Sequence, residues 1–150
     1  MNSQYGFTFN VCNDSDFELV ENNGSSVVAL VGPVLRDFKH DIRISVILFQ
    51  IPKKITLDDF LTERQAAAKA NLKNFAILNE TDTTIAGLPA KISHSSFTIA
   101  TNDNEINYRI TVAAFIKDNI VYAIQYETDA EIYEDHVQCF NLVLSSFKFN

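Results

Sequence analysis

The sequence predicts an α+β fold in which a twisted, mainly antiparallel β-sheet is flanked by helices, as in an α/β/α sandwich. Segments of strand character follow one another across short turns, only two segments have helical periodicity, and residues 42–51 are almost continuously apolar. Tight turns between successive strands favour antiparallel pairing, and a strand that is apolar on both sides favours a sheet covered on both faces. With 150 residues and no repeat or linker, the chain is expected to form one domain, 1–150.

The first strands are predicted from alternating apolar residues and from turn residues. GFTFNV (6–11) alternates, and the polar residues 13–16 are expected to turn the chain into FELVE (17–21) as a first hairpin. A second turn at 22–24 leads into VVALVG (27–32), and a polar loop then runs to Asp41. IRISVILFQI (42–51), which is rich in β-branched residues and stops at Pro52, is expected at the centre of the sheet.

A first helix is predicted from Thr56 to about Asn74. Thr56 is a suitable N-cap, and Asp58 and Asp59 place negative charge in the first turn. Arg64 interrupts the predicted apolar face, which consists of Leu57, Phe60, Leu61, Ala67, Ala68 and Leu72.

The second half of the chain reads as long strands followed by a helix. FAILNE (75–80) is predicted as a strand, Gly87 and Pro89 turn the chain into a longer strand over 90–100, and residues 101–104 form an exposed turn. Strands at 106–117 and 119–127 flank a hairpin turn at 118–119. Thr128 or Asp129 is expected to cap a second helix over about 130–146, and FKF (147–149) forms a last short strand.

Three stretches give the chain a resemblance to a known superfamily: YGFTFNV…DFELVE near the start, TTIAGLPAKISHSSF in the middle, and NIVYAIQYETDAEIYEDH…LVLSSFKF at the end. Together they resemble the Mog1/PsbP-like superfamily, which includes DcrB-type bacterial proteins. The resemblance covers nearly the whole chain and implies the α+β fold. It also implies a binding role, because members serve as a photosystem subunit, a factor that binds a nuclear-transport GTPase, and secretion chaperones.

Charge and motifs exclude several classes of function. The net charge is −7, with four basic and ten acidic residues after residue 75, so the surface repels phosphate backbones and nucleic-acid binding is disfavoured. The four glycines are isolated, so there is no phosphate-binding loop, and there is no GxSxG nucleophile motif. No apolar run is long enough to span a membrane, and the N-terminus lacks the pattern of a signal peptide. The sequence as it stands predicts a cytoplasmic protein, or an exported or lipid-anchored one if a leader had been removed.

Histidines and cysteines give weak candidate sites. His40, His94 and His136 lack partners at metal-ligand spacing, so neither a metal nor a cofactor is expected. His136 and Cys139, three residues apart on the second helix, could form a nucleophilic pair, but packing in the core is the simpler interpretation. Whether Cys12 and Cys139 form a disulfide stays open, with unbonded, buried cysteines favoured.

Five acidic residues within a stretch of nine could form a face that docks a protein partner: Glu127, Asp129, Glu131, Glu134 and Asp135. A solvated helix N-terminus explains most of this charge. The leading hypothesis is a non-catalytic binding module, meaning an adaptor, chaperone or assembly subunit that holds a protein partner. The alternative is a carrier of a small apolar ligand in a cleft between sheet and helix, and an enzyme that uses His94 or His136 is disfavoured.

Overall fold

The structure is a computed structural model that describes residues 6–12, 18–23, 26–32, 42–52, 55–100 and 104–150, with backbone only for the strand residues between 18 and 27. The predicted turns at 13–16 and 22–24, the loop with His40 and most of the turn at 101–104 lie wholly or partly outside these residues. The elements are β1 (Phe7–Thr8), β2 (Glu18–Asn23), β3 (Ser26–Val31), β4 (Arg43–Gln50), α1 (Leu57–Asn71), β5 (Lys73–Ile85), β6 (Leu88–Ala100), β7 (Glu105–Lys117), β8 (Ile120–Asp129), α2 (Tyr133–Ser146) and β9 (Lys148–Phe149).

The predicted fold class is confirmed. Seven strands form one sheet in the order β2-β3-β4-β8-β7-β6-β5, and every described pairing is antiparallel. Strand β4 lies inside the sheet between β3 and β8, as the continuous apolar run predicted. Helix α2 covers one face and α1 covers the other, so two hydrophobic clusters form, one beneath each helix.

Two hairpins of the second half, β5–β6 and β7–β8, turn at two residues with positive φ. Ala86 and Gly87 have φ of 52° and 79°, and Asp118 and Asn119 have φ of 52° and 63°. Positive φ at both central positions is the geometry of a type I′ turn, whose twist matches that of paired strands. The hairpin predicted at 118–119 is confirmed, and the opening of TTIAGLPAKISHSSF extends β5 as far as Ile85, well beyond the predicted end at residue 80.

The predicted N-terminal hairpin is wrong. Strand β1 pairs with β9 at the other end of the chain, with Phe7 opposite Phe149 and Thr8 opposite Lys148. The ring centroids of Phe7 and Phe147 lie 5.0 Å apart, and Phe7 is fully buried. Alternation in the sequence identified a strand, but burial of its aromatic side chains against the end of α2 selected its partner.

The two helices begin and end differently from the predictions. Thr56 is the N-cap of α1, as predicted, and it also forms a capping box with Asp59. The helix ends at Asn71, before the predicted end near Asn74, because Leu72 is already extended. Helix α2 begins at Tyr133, later than expected. The Asp129 Oδ1 atom accepts the amide of Glu131 at 2.8 Å in the turn before α2, and Ile132 stands at the N-cap without a side-chain cap.

The two cysteines form a disulfide, which corrects the favoured interpretation. Cys12 and Cys139 have Cα atoms 5.4 Å apart and join the segment after β1 to α2 across 127 residues of sequence. Both are half-buried. The bond also removes the thiol that a Cys139–His136 nucleophilic pair would require.

Replacing both cysteines by serine is expected to lower the free energy of unfolding by about 2–5 kcal/mol, because the bond restricts a long loop of the unfolded chain. Urea unfolding of the variant and of the parent protein measures the difference. A reductant should lower the stability of the parent but leave the Cys12→Ser, Cys139→Ser variant unchanged. Equal urea midpoints for oxidised parent and variant would show that the bond does not contribute.

Candidate functional site

The five acidic residues predicted as a docking face occupy different environments. Glu131, Glu134 and Asp135 are exposed at the start of α2, whereas Glu127 is half-buried on β8. Asp129 is 4% exposed and its carboxylate is engaged by the backbone amide of Glu131. The structure therefore places three of the five carboxylates where a partner could reach them, and the docking face stays a prediction.

His94 belongs to a polar relay that links the sheet to α2. Its Nδ1 atom lies 2.8 Å from Thr111 Oγ1, and Thr111 Oγ1 lies 2.5 Å from Tyr133 Oη. Tyr126 Oη donates to the backbone oxygen of Tyr133 at 2.6 Å. Thr111, Tyr126 and Tyr133 are all buried, so these hydrogen bonds satisfy polar groups that would otherwise be costly to bury. Within the structure, these hydrogen bonds hold the start of α2 against strands β6, β7 and β8.

The charges that surround the relay come from two elements. Arg109 of β7 places its guanidinium carbon 5.6 Å from the ring centroid of Tyr133, and its Nη1 lies 3.9 Å from Glu134 of α2. Burial, followed by the positive charge of Arg109, lowers the pKa of His94 below its ordinary 6.5, and Glu134 opposes the shift. Neutral His94 can accept a hydrogen bond from the Thr111 hydroxyl, whose oxygen can in turn accept a hydrogen bond from the Tyr133 hydroxyl.

The stability of the fold is expected to fall as the pH falls below about 6.5. Because the folded-state pKa of His94 is lowered, the unfolded chain binds the proton first, so the stabilisation is present above pH 6.5 and is lost as the pH falls through the folded-state pKa. Urea unfolding of the parent and of the His94→Gln variant between pH 7.5 and about pH 5 checks this. The parent should lose more stability than the variant over that range, and parallel pH profiles would contradict the prediction.

The structure contains a cleft beneath α1 that the sequence did not identify. Helix α1 has a single buried residue, Leu61, and Ala67, which the sequence placed on the apolar face, is exposed. The helix therefore covers the sheet incompletely and leaves a cleft of about 120 Å³. Its walls come from α1, β4, β5, β6, β7 and β8: Ile47, Phe49, Phe60, Leu61, Arg64, Gln65, Ala68, Leu72, Phe75, Ser93, Ser95, Ile110, Val112, Ala123 and Gln125.

The polar groups of this cleft come from α1 and from the sheet beneath it. Gln65 Nε2 donates to Glu80 Oε1 and reaches Ser93 Oγ at 3.4 Å, which joins α1 to β5 and β6. The Arg64 guanidinium carbon lies 4.9 Å from the ring centroid of Phe49, and the Arg64 side chain is exposed. The rest of the wall is predominantly apolar, so the cleft is suited to an apolar group with one anionic end.

An apolar strip continues from the cleft onto the surface. We define it as Leu72, Phe75, Ile77 and Leu78, at the end of α1 and the start of the edge strand β5. Leu72, Ile77 and Leu78 are 37%, 44% and 53% exposed, and Phe75 is half-buried. A second hollow along the strip shares Gln65 and Phe75 with the cleft, so the two are contiguous. The stretch FAILNE contains Phe75, Ile77 and Leu78. The sequence does not indicate that this strand lies at the edge of the sheet, where the structure places it.

The described residues contain no group of three or more His, Cys, Asp or Glu side chains placed to hold a metal ion. Neither described helix has the length and apolar character needed to cross a membrane. The lining of the cleft includes no histidine, cysteine or carboxylate side chain. Its polar side chains include the hydroxyls of Ser93 and Ser95.

No protein-family model and no curated protein matches the chain. Solved structures do match it. LpqN, which is involved in cell envelope biogenesis in Mycobacterium tuberculosis, superposes with a TM-score of 0.69 at 14% identity, over 96% of this chain and 84% of LpqN. Cyanobacterial PsbP from Synechocystis superposes with a TM-score of 0.65 at 17% identity, over 99% of this chain and 89% of the PsbP chain.

A protein of unknown function from Pseudomonas aeruginosa gives a TM-score of 0.65 at 11% identity, over 91% of this chain and 92% of that chain. At these identities the similarity extends to the fold and not to individual site residues. The protein therefore shares its fold with PsbP and LpqN, in agreement with the fold that the sequence resemblance implied.

Proposed function

We propose that the protein is a non-catalytic binding module that holds a protein partner on the apolar strip and the cleft beneath α1. The observation that carries this proposal is the exposure of Leu72, Ile77 and Leu78 beside an apolar cleft. Apolar side chains clustered on one exposed surface, next to a concave pocket, are typical of protein interaction sites. The acidic start of α2 remains a second surface that a partner could contact.

The backbone around the strip supports binding through side chains rather than through strand addition. The pairing of β5 with β6 is irregular between Lys73 and Ala76 and again between Ile77 and Asn79. Such irregularities interrupt the row of edge hydrogen-bonding groups that an added strand would use, and they protect an edge from unwanted pairing. Beyond them, Glu80 and Asp82 place charge on the same exposed strand.

The cleft by itself is small for the alternative, a small-ligand carrier, and the adjoining hollow of about 270 Å³ lies along the strip. Sites for drug-sized ligands usually enclose about 300–1,000 Å³. The cleft, at about 120 Å³, is close to the size of an engineered apolar cavity of about 150 Å³ that binds benzene. It therefore matches one large side chain better than a whole ligand.

A photo-crosslinking side chain at Leu78 is expected to capture a discrete partner in the producing cells. The matched control is the same group at Thr83, which is exposed on the same strand but lies beyond the strip. Ile77→Ser together with Leu78→Ser should leave the urea midpoint within experimental error of the parent, because both side chains are exposed. With the crosslinker at Phe75, this double change should abolish capture.

Equal crosslinking from Leu78 and Thr83, or capture that survives the double change, would contradict the proposal. Both outcomes would show that contact does not depend on the apolar strip. Once the crosslinked partner is identified, mixing the two purified proteins should reproduce the crosslink.

We further propose that the protein works in an oxidising compartment, the exported location that the sequence left open. The supporting observation is the Cys12–Cys139 disulfide, since such bonds persist outside the cytosol and are rare within it. The role of LpqN in cell envelope biogenesis is consistent with this location.

Alkylation of the native protein, taken directly from cells under acid quench, tests the location. We expect both cysteines to resist alkylation until a reductant is added, and the protein to fractionate outside the cytoplasm. Cysteines that are fully alkylated without reductant, in a protein recovered from the cytosol, would contradict it.

A further inference from the structure

The size of the cleft beneath α1 and the position of Arg64 at its wall indicate which chemical groups of a partner would bind there. We propose that it takes one bulky apolar side chain of a polypeptide segment, about the size of phenylalanine, and that a carboxylate next to that side chain pairs with Arg64. This inference rests on the proposed function and deepens it by assigning chemistry to the partner.

The shape of the cleft limits the apolar part to a single side chain. Its volume of about 120 Å³ is comparable with that of an engineered cavity of about 150 Å³ that binds benzene, so it admits one aromatic ring, and Leu61 is among the residues that line it beneath α1. Ala68 on the helix and Ala123 on β8 both line it, and their short side chains leave the space that the anchor would fill. Burying one aromatic side chain in such a pocket is the usual form of an interaction hot spot.

Arg64 supplies the charge that selects a carboxylate. Stacking on Phe49 holds its guanidinium at the wall of the cleft, and no carboxylate among the described residues forms an ion pair with it. Of the lysines nearby, Lys73 pairs with Glu105 and Lys91 pairs with Asp58, whereas Lys69 lines the second hollow rather than the cleft. A guanidinium beside an apolar pocket matches an apolar group with an adjacent carboxylate, which can accept two parallel hydrogen bonds.

The contiguous strip favours a polypeptide over a free acid. A segment that lies across Leu72, Ile77 and Leu78 would cover these exposed side chains while its anchor enters the cleft, because the two hollows share Gln65 and Phe75. A small free acid would fill the cleft but leave the strip exposed to water.

N-acetylphenylalanine tests the assignment, with N-acetylphenylalanine amide as its uncharged match. Titration of the methyl-labelled full chain by NMR should move the methyl signals of Ala68 and Ala123 and leave that of Ala70, which is exposed on α1, unchanged. We expect the carboxylate probe to bind about fivefold more tightly than the amide. Arg64→Gln should reduce this ratio to about one while the apolar contact persists.

A second variant tests the pocket independently of the charge. Ala68→Leu fills the cleft and should weaken both probes at least tenfold, whereas Ala70→Leu, the same change on the exposed side of α1, should weaken neither. Equal binding of the two probes to the parent protein, or no shift at Ala68, would overturn the assignment. Tighter binding of octanoate than of N-acetylphenylalanine at the same methyl groups would also overturn it, in favour of a small-ligand carrier.

The outcomes separate this inference from the proposed function. Crosslinking from Leu78 without probe binding would overturn the anchor alone and leave the binding module standing. Probe binding without crosslinking from Leu78 would overturn the proposed function and, with it, the assignment of the cleft to a protein partner.

Discussion

The packing of Phe147 against the aromatic side chains around it is the interaction on which the rest of the structure depends. Phe147 lies directly after α2, and its ring contacts Phe7, Phe115, Tyr122 and Phe149 with centroid distances of 5.0–6.4 Å. These contacts join both chain ends to the two central strands β7 and β8. Offset and edge-to-face pairs of this kind stabilise a core beyond their buried area. The Cys12–Cys139 disulfide reinforces the same junction from the surface.

The two faces of the sheet divide stability and binding between them. The face beneath α2 carries the large aromatic core and the relay from His94 to Tyr133, whose polar atoms are paired within the protein. The face beneath α1 has three fully packed core residues, Leu61, Ala114 and Val121, and leaves a cleft. Because the α2 face anchors the fold, the α1 face can expose apolar side chains at modest cost, as binding surfaces do.

This division explains why the most conspicuous residues of the sequence are not at the candidate site. His94, Cys139 and Asp129 have chemistry that attracts attention, yet the structure engages them in a relay, a disulfide and a turn. The residues that form the proposed site are ordinary apolar ones, together with Arg64. A sequence pattern identifies residue types, whereas an interaction surface depends on which apolar residues remain uncovered after folding.

The sequence by itself determined the α+β class, the hairpin at 118–119, the Thr56 cap and the interior position of β4, because each depends on neighbouring residues or on the apolar character of one segment. Only the tertiary structure decided the partner of β1, the Cys12–Cys139 bond and the cleft beneath α1. These three features bring together residues distant in the chain, and their energetics arise from burial and packing that no local window contains. For the same reason FAILNE could be recognised as a strand but not as the exposed edge beside a binding cleft.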